Sequence, residues 1–145
     1  GALTIGTLGG ANVEIREQVG DENIVIFGLT AAEVAEKRAK GHNPREVIES
    51  SPELSQALSA ISSGVFSPDD PGRYAGLIGG LYEHDWFMVA TDFDSYSHAQ
   101  DRVNALWSDP AVWWEKVILN TARMGWFSSD RTIREYAQDI WGVKL

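Results

Sequence analysis

Cysteine is absent from this 145-residue chain. Disulfides, thiolate zinc sites and cysteine nucleophiles are therefore excluded, and a reducing compartment such as the cytoplasm fits. Positive charge is scarce: 12 Lys and Arg stand against 21 Asp and Glu, for a formal net charge of −9. Neutralising phosphates needs clustered Lys and Arg, so this balance opposes partnership with nucleic acid or an anionic membrane surface. No apolar run approaches the ~20 residues needed to span a bilayer. No signal-peptide pattern opens the chain. Internal repeats, low-complexity tracts and clear linkers are also missing. What is present is material for a core: 43% of residues are hydrophobic and six are Trp. The length suits one domain, and a complete domain of this size buries about 70% of the surface its unfolded chain exposes.

The first residues, GALTIGTLGGANVEI over Gly1–Ile15, start directly on a strand-like run without an initiator Met or a polar lead-in. The expectation is a segment of something larger. Ala2–Thr7 reads as a short apolar strand and Gly9-Gly10 as a turn free of Cβ clashes. Asn12–Val19 reads as a helix closed by Gly20. Asn23–Gly28 is a continuous apolar run of the kind buried on both faces of a parallel sheet. Thr30 and Glu33 form a capping box for a helix to about Lys40, stopped by Gly41. Short helices are expected over Asn43–Ser50 and after Ser51-Pro52, the second with Leu54, Leu58 and Ile61 on one face. Ser62–Gly72 reads mostly as loop. Tyr74, Leu77, Ile78, Leu81 and Tyr82 recur as one helical stripe.

Trp86–Thr91 (WFMVAT) is expected to be a third strand. Ser95–Trp107 is then helical, with Val103, Leu106 and Trp107 inward. Asp109-Pro110 starts a helix carrying Trp113, Trp114, Val117, Ile118 and Ala122, ended by Gly125. A last helix from Ser128 buries Ile133, Tyr136, Ala137, Ile140 and Trp141. The order argues an α/β fold, helix-rich, with about three parallel strands. Three parallel strands leave two open edges, so further strands are expected upstream.

Each chemical motif carries a structural alternative. The Gly6–Gly10 turn could cradle a phosphate at a helix N-terminus, but it matches neither glycine fingerprint and no Lys follows it. A tight strand-to-helix turn with close helix–strand packing is the favoured reading. Asn12 and Glu14 read as cleft contacts or as first-turn residues favouring the helix dipole. Glu83, His84 and Asp85 read as a ligand or acid/base group, or as a polar loop. His42 and His98 lie far from them in sequence. The pairs Asp92/Asp94 and Asp69/Asp70 could do glycosidic acid/base work, or cap helices. No G-x-S-x-G elbow is present. Trp107, Trp113, Trp114 and Trp141 sit at core spacing, and Trp126 is assigned to the core as well rather than to a sugar platform.

Four segments together resemble the C-terminal end of the glycogen/starch/maltodextrin (α-glucan) phosphorylases. They are Gly1–Glu14 (GALTIGTLGGANVE), Asn23–Gly28 with its following helix, Ser62–Pro68 (SSGVFSP) and Phe127–Val143 (FSSDRTIREYAQDIWGV). Their order and spacing cover essentially the whole chain. One departure is Gly9, where the family commonly has Asp, which puts in doubt any role of that carboxylate here.

The resemblance implies a two-domain GT-B-type glycosyltransferase with two Rossmann-like domains facing a cleft. Residues 1–145 would be the C-terminal part of the cofactor-bearing Rossmann-like domain, with 128–141 as the terminal crossover helix, its apolar stripe covered by residues outside this chain. It implies reversible phosphorolysis of α-1,4-glucan to glucose 1-phosphate. Pyridoxal 5′-phosphate is held by a lysine, and its phosphate exchanges a proton with substrate phosphate. The family's cofactor lysine lies in a motif resembling E-A-S-G-T-x-N-M-K, which no stretch here matches; the lysines are Lys37, Lys40, Lys116 and Lys144. No catalytic, cofactor-binding or metal residue is therefore assigned to this chain. The implied partners are α-1,4-glucan and phosphate for the parent enzyme, with self-association of the isolated chain through open edges and apolar faces. Two alternatives stand beside it. One is a stand-alone acidic α/β interaction module, which should be a cooperative monomer. The other is a small phosphate- or nucleotide-binding protein using Gly6–Gly10, whose binding Gly10→Val should abolish.

Overall fold

The computed structural model describes residues 2–143; Gly1, which opens the expected strand segment, and the tail residues Lys144 and Leu145 lie outside them. The elements in chain order are β1 (Thr4–Thr7), α1 (Ala11–Val19), β2 (Ile24–Phe27), α2 (Ala31–Lys40), α3 (Pro44–Ser50), α4 (Pro52–Ser62), α5 (Ala75–Glu83), α6 (Val89–Trp107), α7 (Pro110–Arg123) and α8 (Ser129–Glu135). Single 3-10 turns occupy Asp21–Asn23 and Met124–Phe127, and a π-helical turn, Tyr136–Ile140, follows α8.

Local chemistry accounts for most helix starts. Thr30 Oγ1 accepts the Glu33 N–H at 3.3 Å while the Glu33 carboxylate accepts the Thr30 N–H at 2.8 Å, a complete capping box. The Thr30 hydroxyl and then its N–H hold the Glu33 carboxyl below the usual range. Asn43, Asp109 and Ser128 each accept a first-turn N–H with the side chain. Pro44 and Pro110 stand at the first helical position, where a missing N–H costs nothing. Ser51 behaves differently: it makes no cap bond and its hydroxyl donates to Asp94 at 2.6 Å.

The chain is 69% helical and its sheet is a parallel pair, β1 beside β2. The expected third strand is not formed. Trp86 and Phe87 lie in a turn, and Val89–Thr91 are the first residues of α6, which thus begins before the expected Ser95. The segment WFMVAT carries strand-like composition, but its backbone turns at Asp85 and Met88, both with positive φ (38° and 57°). Those two corners break the extended path and aim the following N–H groups inward.

The chain divides into two compact units, one made of the chain up to Ile26 with the chain from Arg102 on, the other Phe27–Asp101. In the first, Val19, Ile24, Val25, Val117 and Ala137 are buried. Its polar fastening is an asparagine relay. Asn120 Nδ2 donates to the Asn23 carbonyl at 2.7 Å, and Asn23 Nδ2 donates to the Val19 carbonyl at 2.9 Å. Both side chains are buried, so each bond satisfies groups that water cannot reach. Arg102 adds a donor to the Ile26 carbonyl at 3.1 Å, and Arg123 one to the Gln18 carbonyl at 3.1 Å.

The second unit packs Ile48, Leu54, Leu58 and Ala90 into one cluster, flanked by Val47, Ile78, Leu81, Tyr82 and Phe93. Leu54 and Leu58 thus sit on the inward face read from the sequence. Leu77 departs from the α5 stripe and is exposed.

The helices after α6 depart most from expectation. In the stripe Ile133, Tyr136, Ala137, Ile140 and Trp141 only Ala137 is buried; Ile140 is 66% exposed and Trp141 59%. The π turn explains part of this, since hydrogen bonding from i to i+5 changes the phase of the stripe. On α7, Val117 is buried but Trp114, Ile118 and Ala122 are exposed. Trp107 is exposed too, meeting Trp113 edge to face at 5.0 Å. Trp126, expected in the core, is 42% exposed, with the Arg131 guanidinium over its ring.

Candidate functional site

The glycine turn is closed on itself. Asn12 Nδ2 donates to the Thr7 carbonyl at 2.9 Å, and the Asn12 and Val13 N–H groups donate to the carbonyls of Gly9 and Gly10, each at 3.3 Å. A Cβ on Gly6 would lie 2.2 Å from Asn12 Nδ2. Gly6 is thus the space into which the Asn12 amide packs. Gly10 has φ 54° and ψ −139°, a conformation that needs glycine. Asn12 accordingly staples the start of α1 back onto β1. The Gly9, Asn12 and Val13 N–H groups already have partners within the turn, which favours the tight-turn reading. Glu14 stands exposed in the first turn of α1.

The second group gathers where α6 begins. Asp85 is 1% exposed, so the expected polar loop holds a buried carboxylate. Asp85 Oδ1 accepts the Ala90 N–H at 3.0 Å; Oδ2 accepts the Thr91 N–H and the Thr91 hydroxyl, both at 3.1 Å. His42, remote in sequence, brings Nε2 to 3.4 Å from Asp85 Oδ2 and from Thr91 Oγ1. Its Nδ1 is buried without a hydrogen-bond partner among the described residues. The neighbours Glu83 and His84 stay exposed, 3.9 Å from each other and outside this group. His98 is exposed on α6.

The carboxylate pairs separate. Asp92 accepts the Leu29 N–H at 2.9 Å, at the C-terminal end of β2, whereas Asp94 takes the Ser51 hydroxyl. Neither caps its own helix, as the capping alternative had it. Asp69 pairs with Arg73 at 2.7 Å, and Asp70 stands 3.8 Å from the same guanidinium. Burial pushes the Asp92 carboxyl above its ordinary range; the Leu29 N–H opposes this, while Asp85 and Glu33 add to it. A raised folded-state pKa favours the protonated form. Its contribution to stability is therefore complete at low pH and is lost as pH rises through the Asp92 pKa. Asp92→Asn, which keeps an acceptor for Leu29, should be more stable than the parent chain at pH 7, by less than about 1 kcal/mol after solvent screening. The gap should close by about pH 3. Urea unfolding at several pH values checks this; a variant weaker at both ends of the range contradicts it.

The geometry gathers polar groups for structure: a hydrogen-bonded carboxylate anchoring α6 and an acceptor closing the β2–α2 turn. No group of three His, Asp or Glu among the described residues is placed to hold a metal ion. Lys40 Nζ meets Glu36, Lys116 Nζ donates to the Glu22 carbonyl, and Lys37 lies on α2. His42 with Asp85, and Asn23 with Asn120, were not legible as pairs, because only folding brings them together.

Comparison with known proteins gives this scaffold its context. The profile of the carbohydrate phosphorylases matches residues 1–143. The chain is 49% identical over 144 residues to the brain form of glycogen phosphorylase from Homo sapiens. It is 46% identical over 144 residues to the muscle form from Oryctolagus cuniculus and 45% to the muscle form from Homo sapiens. Each match covers 99% of this chain and 17% of the relative, so the chain spans about a sixth of the length of these proteins. On a profile match from end to end and identity near one half, the chain belongs to the carbohydrate phosphorylase family.

Proposed function

We propose that this chain is the C-terminal segment of an α-glucan phosphorylase, an enzyme that transfers a glucosyl unit from α-1,4-glucan to inorganic phosphate and releases glucose 1-phosphate. The observation that carries the reading is identity of 45–49% to glycogen phosphorylases along 99% of the chain. On this reading residues 1–145 complete a Rossmann-like domain of a GT-B-type enzyme, with 128–141 as the terminal crossover helix. The parent's substrates are α-1,4-glucan and phosphate, and its location is cytoplasmic. No helix among the described residues is long and apolar enough to cross a membrane.

Pyridoxal phosphate belongs to the reaction of the parent. No stretch of this chain matches the motif that carries the family's cofactor lysine, and Lys40 and Lys116 are engaged by Glu36 and a backbone carbonyl. This segment's part is scaffold. The asparagine relay holds α7 to the turn before β2, and Asp85 anchors α6. The exposed apolar side chains Trp107, Trp114, Ile118, Ile140 and Trp141 support self-association of the chain when it stands alone.

The test is the polypeptide from the complete reading frame that contains this sequence. With pyridoxal phosphate, maltodextrin and inorganic phosphate it should release glucose 1-phosphate, and the 145-residue chain alone should release none. A complete polypeptide loaded with cofactor and silent toward every α-glucan would overturn the reading, as would phosphorolysis by the isolated chain.

A further inference from the structure

We draw no further inference here: the strongest candidate, the apolar cleft of about 350 Å³ between α5 and the corner that opens α6, rimmed by the exposed Leu77, Trp86, Phe87 and Val89, carries none because nothing in the structure shows what covers it.

Discussion

Replacing Asp85 with alanine should destabilise the second unit by about 3–5 kcal/mol, the largest single effect expected in this chain. The carboxylate is fully buried and takes the Ala90 N–H, the Thr91 N–H and the Thr91 hydroxyl. The first four N–H groups of any helix lack intrahelical acceptors. Without Asp85 two of them are stranded, the one on Ala90 in a place closed to water, at about 1–3 kcal/mol for each donor left unpaired. His42 also loses the oxygen 3.4 Å from its Nε2. Backbone conformation adds to the loss, since φ at Asp85 is 38°, a region that aspartate and asparagine enter more readily than alanine. Asp85→Asn keeps one acceptor and the backbone preference, so its cost should be intermediate. Equilibrium urea unfolding, at a concentration where the chain is monomeric, measures both. An alanine variant within about 0.5 kcal/mol of the parent would show that α6 does not depend on this carboxylate.

The second large effect is Ile48→Ala, at about 3 kcal/mol. Among the described residues Ile48 is the largest completely buried side chain, and it belongs to the cluster with Leu54, Leu58 and Ala90. Four helices contribute to that cluster: α3, α4, α5 and α6. Truncation leaves a cavity that all four would have to move to fill, which is why the cost should exceed the transfer energy of the lost methyl groups alone. Ile48→Val, with one methylene less, should cost only about 1 kcal/mol. If the alanine variant costs no more than the valine variant, the site collapses freely and the cluster is looser than its burial implies.

Features written in a few neighbouring residues were legible without the fold. Thr30 with Glu33, Asn43 with Pro44, Asp109 with Pro110 and Ser128 all start helices, because a cap needs only a short polar side chain and an N–H two or three residues on. Within the apolar run Asn23–Gly28 the residues Ile24–Phe27 became β2, and Leu54 and Leu58 turned inward on α4. Family membership was legible as well, since GALTIGTLGGANVE and FSSDRTIREYAQDIWGV keep their order at the two ends of the chain.

Only the tertiary structure decided the rest. WFMVAT has the β-branched and aromatic content of a strand, yet it ends as the start of a helix. The acceptor that caps that helix is Asp85, five and six residues before the N–H groups it serves, across two left-handed corners. A cap at that distance has no local signature. The tryptophan rows show the converse: helical spacing says which side chains share a face, but not whether another surface covers it. His42 reaches Asp85 across 43 positions of chain and Asn120 reaches Asn23 across 97, pairings that exist only once the helices between them have packed.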